Sequence, residues 1–296
     1  MARPFLKWAG GKTQLLEQIQ SRLPPDISEC TTYLEPFLGG GAVLFHLLDR
    51  QEFEYVRVSD LNEDLTLCYK MLQSDAELVA EILQEMSDCY PSSKDDRKEA
   101  YYEVRERWNS SIGSSESMGL EQKAKRAAQT IFLNKTCFNG LFRVNSDGLF
   151  NVPMGDYVKP SFPSKQDLLE VQAALKGVVV QTSGFQSCRE YANDRSFIYL
   201  DPPYRPISKT SGFVSYSKGD FDDADQRELA KMFRKLDETG ARILLSNSDP
   251  KSTDPRDDFF DDLYEGFTVE RILSRRSINS LGSGRGKISE IMVRNY

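Results

Sequence analysis

Residues 197–204 read Phe-Ile-Tyr-Leu-Asp-Pro-Pro-Tyr, and the last four could hold a planar amine. Asp201 offers a carboxylate, the Pro202 carbonyl is a second acceptor on a stiff backbone, and Tyr204 supplies an aromatic face. The set suits a planar base with an exocyclic amino group. That nitrogen is a poor nucleophile, because its lone pair is delocalised into the ring. Two acceptors at tetrahedral angles would favour an sp³-like nitrogen and free the lone pair, and Asp201 would stabilise the positive charge that then develops. The catalytic candidates are therefore Asp201, Pro202, Pro203 and Tyr204, with no nucleophilic side chain and no metal required. Alone, the stretch also reads as a rigid turn, so its neighbours matter.

The four residues before Asp201 are apolar or aromatic and predict a buried strand. Pro202 and Pro203 stop its pairing, since proline has no N–H for a ladder. The tetrad thus falls at a strand's C-terminal edge, where open α/β sheets bind ligands.

Two glycine loops could complete a pocket. Residues 5–12, Phe-Leu-Lys-Trp-Ala-Gly-Gly-Lys, lead into an apolar-periodic helix through Leu15, Leu16, Ile19 and Leu23. It departs from the P-loop pattern, because Leu6 stands where that motif needs its first glycine and no strand precedes it. It reads instead as exposed backbone beside Trp8 and Lys12, suited to a small zwitterionic ligand. Residues 33–41, Tyr-Leu-Glu-Pro-Phe-Leu-Gly-Gly-Gly, predict a short strand, a glycine turn and a helix over 42–48. Leu44 replaces the third glycine of a dinucleotide fingerprint. The next strand, 55–60, ends in Asp60, nineteen residues past Gly41, a spacing at which an acid reaches a ribose diol. Ala9, Gly10, Glu35, Pro36, Phe37, Gly39 and Gly41 join the ligand-binding candidates, and Phe185 is expected to pack on the ligand's adenine. His46, the one histidine, sits among apolar residues and predicts a packed or capping role.

From residue 62 to 126 the spacing is helical, with a Ser/Gly-rich loop expected over 109–119. Residues 138–155 predict a β-hairpin turning at Asn145-Ser-Asp-Gly148, preceded by a tight Asn139-Gly140 turn. That segment could turn Phe138, Asn139, Leu141 and Arg143 outward. Arginine can pair with guanine, asparagine with adenine, and an apolar side chain can wedge into a base stack. Strands are predicted again at 178–182 and 242–246, with a helix over 223–238 between them and a closing antiparallel hairpin from 267–273 and 290–294. The fold class is α/β, a nucleotide-binding sheet formed by 1–61 and 164–296, with a helical and hairpin domain inserted at 62–163.

The 296-residue chain is 39% hydrophobic and 28% charged, in the range of soluble globular proteins. It has no apolar run near the ~20 residues a membrane span needs. Met1-Ala2-Arg3-Pro4 enters a motif at once, which leaves no room for a signal peptide. Five scattered cysteines without a C-x-x-C pair predict reduced thiols in the cytosol and argue against zinc. Net charge is −7, yet residues 271–296 carry six bases against one acid and residues 121–145 five against one. These clusters predict a basic groove.

Phe5-Leu6-Lys7-Trp8-Ala9-Gly10-Gly11-Lys12, Glu35-Pro36-Phe37-Leu38-Gly39-Gly40-Gly41, Asp201-Pro202-Pro203-Tyr204 and Arg275-Arg276-Ser277-Ile278 occur in the order seen in Dam-type DNA adenine N6-methyltransferases of the alpha class. Phe138-Asn139-Gly140-Leu141-Phe142-Arg143 resembles that family's target-recognition hairpin. The resemblance implies a Rossmann-like methyltransferase sheet, S-adenosylmethionine as methyl donor and double-stranded DNA as partner. Residues 62–163 would then be the inserted target-recognition domain. Trp8, Lys12, Asp60 and Asp201 match cofactor-contacting positions. Lys7 and Arg143 match positions that contact guanines, and Asn139 and Leu141 match neighbouring base contacts. Phe138 replaces a tyrosine that often inserts into the duplex. Lys135, Pro153, Arg275, Arg276 and Asn279 complete the DNA-facing candidates. The implied target is GATC, with the adenine flipped out of the duplex. A monomer is expected, with a cognate restriction endonuclease as a candidate partner. Open alternatives are an adenine methyltransferase acting on RNA or another DNA sequence, a DNA-binding module without turnover, and a P-loop nucleotidase.

Overall fold

The computed structural model describes residues 2–111, 117–206, 221–275 and 287–296. Among them the apolar runs pair into one seven-stranded sheet. In chain order the strands are β1 (Thr32–Glu35), β2 (Tyr55–Asp60), β3 (Val178–Thr182), β4 (Ser196–Leu200), β5 (Arg242–Ser248), β6 (Thr268–Arg275) and β7 (Lys287–Arg294). Their spatial order is β3-β2-β1-β4-β5-β7-β6, parallel from β3 to β5 and antiparallel beyond. The closing hairpin therefore lies on the sheet edge, as its sequence predicted. Order reverses between β1 and β4, so a crevice opens outside their carboxyl ends. This is a Rossmann-like sheet, the fold class the sequence implied.

β4 is buried at every position because the sheet is covered on both faces. Phe197 and Tyr199 join one apolar cluster while Ile198 and Leu200 join the other. The second cluster is built with α7 (Asp223–Asp237), whose Leu229, Ala230, Phe233 and Leu236 form one buried stripe. The first runs from the sheet through α3 (Glu63–Asp88), α4 (Lys94–Ser110) and α5 (Leu120–Thr136) to Phe142, Phe150 and Val152. Residues 62–163 thus share a core with the sheet. α3 is interrupted at Asp75 (φ −153°, ψ 73°), whose carboxylate caps a new start by accepting from the Leu78 N–H at 3.0 Å.

Two predicted elements come out shorter. The helix expected through Leu23 reduces to a 3-10 turn, Lys12–Gln14, and α1 (Leu16–Gln20). Pro24 and Pro25 follow, and a residue before proline is biased out of helical geometry. The predicted hairpin keeps only isolated bridges, Val144 with Phe150 and Cys137 with Met154. The hairpin's own bonds run from the Asn145 N–H to the Leu149 carbonyl at 2.9 Å and from the Asn151 N–H to the Arg143 carbonyl at 3.1 Å. Phe150 turns its N–H and carbonyl to the outer edge, where the Asn109 side chain accepts from the first at 2.8 Å and donates to the second at 3.2 Å. Of the loop expected over 109–119, residues 112–116 lie outside the described residues. No described helix is long and apolar enough to cross a membrane.

Candidate active site

A cleft of about 680 Å³ opens at the reversal between β1 and β4. Asp201 enters it from the end of β4, Glu35 from the end of β1, and Gly39, Gly40 and Gly41 from the turn before α2 (Ala42–Leu48). Trp8, Ala9, Gly10, Gly11 and Lys12 line another wall. Tyr204 and Glu290 line the β7 side, and Lys7 lines the cleft together with Lys135, Asn139 and Leu141 of residues 62–163.

At the centre, the Lys12 ammonium sits 2.7 Å from Asp201 Oδ1 and 4.5 Å from the Tyr204 ring centroid. Ser246 donates to the same Oδ1 at 3.0 Å and is linked to the Tyr199 hydroxyl at 2.9 Å. Burial pushes the Asp201 carboxyl up, and the ammonium and the Ser246 hydroxyl pull it back. The outcome is a pKa above the ordinary aspartate value. Glu35 is driven well above the carboxylate range by burial, against the Tyr33 hydroxyl that donates to it at 2.8 Å.

The loop carrying this centre is held by groups that its own sequence does not announce. Gln226 of α7 donates to the Pro203 carbonyl at 3.0 Å, and Asn247 of β5 donates to Gln226 at 3.1 Å. Asn247 also accepts from the Arg205 N–H at 3.1 Å. Both amides are wholly buried. Among the described residues nothing donates to the Pro202 carbonyl; Pro202 is buried, and neither it nor Pro203 lines the cleft. The Tyr204 hydroxyl donates to Glu290 at 2.5 Å, which orients the ring. Gln226 had a signal: it opens the inward stripe of α7, where an apolar residue is expected. Glu290 had none, because its partner is 86 residues away in sequence.

The other candidates divide. Asp60 does not line the cleft; it accepts from the Gly39 N–H at 3.0 Å and the Asn62 N–H at 2.9 Å, tying the glycine turn to β2. Gly39 needs to be glycine here, with φ +49° and an added Cβ only 2.9 Å from the Trp8 ring. Pro36, Phe37 and Phe185 lie away from the cleft, and Phe185 stacks on Phe37 at 5.6 Å with Phe221 edge-on. Phe138 is 49% exposed, with Asn139 exposed beside it at φ +57°. Arg143 donates to the Asn151 side chain at 2.7 Å, and Pro153 is exposed. Lys135 has its pKa lowered to about 8, by burial first and then by Lys7. Arg275 ends β6, while Arg276 and Asn279 lie outside the described residues. His46 binds the Gln20 side chain at 2.8 Å, the packing role its surroundings predicted.

The model of the D12 class N6 adenine-specific DNA methyltransferases matches residues 8–278. This chain belongs to that family. A type II methyltransferase, M.MjaIII of Methanocaldococcus jannaschii, is 47% identical over 298 residues, covering 99% of each chain. The type II methyltransferase M1.LlaDCHI of Lactococcus lactis subsp. cremoris is 34% identical, covering 99% of this chain and 95% of its own. A DNA adenine methylase of Vibrio cholerae is also 34% identical, covering 98% of this chain and 95% of its own. Methyltransferases of this family take their methyl group from S-adenosylmethionine and act on DNA.

A donor of that kind finds fitting groups in the cleft. The volume suits a small-molecule site. Backbone at Gly10 and Gly39–Gly41 permits close approach, and the Asp201 carboxylate supplies negative charge for a positively charged ligand.

Proposed function

We propose that the protein is a site-specific DNA adenine-N6 methyltransferase that reads GATC and flips the target adenine out of the duplex. The carrying observation is that one cleft is lined both by the amine-gripping set, Asp201 and Tyr204, and by Asn139 and Leu141 of the turn we read as recognising DNA, with Lys7 packed on that turn. A stacked base cannot enter such a recess, so eversion is required. Tyr204 then stacks on the extruded base, a contact worth ~1–3 kcal/mol.

When bound, S-adenosylmethionine supplies the methyl group on a sulfonium leaving group. Trp8, Ala9, Gly10, Lys12 and Glu35 are the residues we assign to hold it, with Gly39 and Gly41 allowing close approach and Asp60 fixing that turn. Asp201 and the Pro202 carbonyl accept the two amine hydrogens, so the nitrogen lone pair points at the methyl carbon. Alignment of this sort lowers a barrier by up to ~7–11 kcal/mol. Asp201 then stabilises the cationic nitrogen until its surplus proton leaves.

On the DNA side, Lys7 and Arg143 read guanines, Asn139 and Leu141 contact adjoining bases, Phe138 wedges into the stack, and Lys135 meets phosphate. Basic stretches of sequence at 121–145 and 271–296, on a chain of net charge −7, support the reading even though Arg126 is buried against Asp64 and Arg271 pairs with Asp249 and Asp261. Five free thiols support a cytosolic setting. The test is methylation of duplex oligonucleotides carrying each single change in GATC, with labelled S-adenosylmethionine. Loss at every changed position is expected, and indifference to the outer guanine would end the assignment. RNA of the same sequence should stay unmodified.

A further inference from the structure

Buried Asn134, near the end of α5, spends its entire amide on two backbone segments, one 127 residues away and one six residues on. Its Oδ1 accepts from the Lys7 N–H at 2.8 Å. Its Nδ2 donates to the Lys7 carbonyl at 2.8 Å and to the Gly140 carbonyl at 2.9 Å. One side chain therefore sets the cofactor-side loop against the recognition turn, and both donors and the acceptor are used. The turn itself is tight, with φ of +57° at Asn139 and +65° at Gly140.

A second contact fixes the same pair independently. A Cβ on Gly140 would lie 2.6 Å from Lys7 Cδ and 2.7 Å from its Cβ, so the lysine stem runs flush against the turn. The Lys7 ammonium then rests 4.5 Å from the Tyr157 ring centroid. A lysine has several freely rotating bonds, and a base edge is read only if the head group arrives in register. Backbone held at both faces of Lys7, plus a groove for its stem, removes much of that freedom.

We infer that Asn134 is a positioning residue for sequence specificity: it registers Lys7 against the Asn139-Gly140 turn, so that Lys7 and the turn read the target as one unit. The inference rests on the reading of Lys7 as a base contact. It assigns discrimination to a buried amide that touches neither DNA nor methyl donor.

The test compares three full-length variants. Lys7→Met defines which position of the site Lys7 reads. Asn134→Asp keeps the acceptor but loses both donors and sets a carboxyl against two carbonyls. Gly140→Ala leaves Asn134 intact and displaces the lysine stem. For each, kcat/KM is measured on the preferred duplex and on duplexes changed at one position, beside S-adenosylmethionine affinity by calorimetry. Asn134→Asp and Gly140→Ala should both relax discrimination by about 10- to 100-fold at the position Lys7→Met relaxes, since a good base contact carries discrimination of that order. The other positions and donor affinity should change by less than about threefold. Uniform losses on all duplexes would make Asn134 a scaffold residue and overturn the proposal. So would unchanged discrimination in Gly140→Ala if Asn134→Asp does not fold, or a Lys7→Met profile identical to wild type. If Lys7→Met relaxes a position other than the outer guanine, the GATC reading of Lys7 falls while the register claim is still tested there.

Discussion

Asp201 is the stronger acceptor for an amine hydrogen, and offsets positive charge, only while ionised, and two opposed forces set when that is so. Burial raises its pKa, and the Lys12 ammonium at 2.7 Å lowers it. With burial ahead, the carboxyl takes up its proton at a higher pH than an ordinary aspartate, whose pKa is ~3.9. Activity should therefore fall as pH drops, along an acid limb placed above that value. Removing the ammonium removes the opposing force. Lys12→Met should move the limb further up in single-turnover profiles of kcat with saturating donor, and superimposable limbs would show that Lys12 does not set the charge of Asp201. Asp201→Ala removes acceptor and charge together. A loss of about 10³-fold or more in methyl transfer is expected, with duplex affinity nearly unchanged in a binding titration. Near-wild-type turnover would refute the role given to Asp201.

At the scale of elements, β4 delivers the acceptor, but α7 and β5 keep the loop after it still. Gln226→Leu should lower kcat by about 10-fold, in line with one mispositioned group, while KM for the donor holds. A change in donor KM alone would move Gln226 from loop bracing to cofactor binding. Tyr204 is held at its edge by Glu290 and offers a face to the cleft. Tyr204→Phe keeps the face and should be mild. Tyr204→Ala forfeits the stack and should cost about 5- to 150-fold in kcat/KM, a range that follows from the worth of a base stack. Equal losses would assign the role to the hydroxyl. Much of this level is legible in sequence because it is local. The buried run 197–200, the glycine turn with its helix, and β2 ending in Asp60 all declare themselves through residue type and period. What is not legible depends on partners far along the chain. Asn109 braces the outer edge of Phe150 from 41 residues away, and Glu290 meets Tyr204 across 86. Phe185 looked free to stack on a ligand, yet Phe37 and Phe221 already occupy its ring.

Across the whole molecule, the sheet and residues 62–163 are joined through one apolar cluster that includes Tyr33, Phe197, Tyr101, Trp108 and Phe150. Both tryptophans of the chain report on that junction. Trp8 lies between the glycine turn and Phe142, stacked on the latter at 5.7 Å. Trp108 donates to Thr130 at 2.9 Å, lies under the Arg126 guanidinium at 4.0 Å and meets Phe142 and Phe150 edge-on. An insert with its own core would melt separately, and the two indoles would then see only part of the unfolding. A shared core predicts otherwise. Tryptophan fluorescence and differential scanning calorimetry should give one coincident midpoint, with the van't Hoff enthalpy close to the calorimetric value. A fluorescence transition that precedes the main heat absorption, or two resolved endotherms, would show that the recognition region unfolds alone. Coincidence would also mean that a lesion at the Trp8–Phe142 contact lowers the stability of the sheet as much as that of the insert. Phe142→Ala, which empties a buried aromatic site, should lower the single midpoint without splitting it.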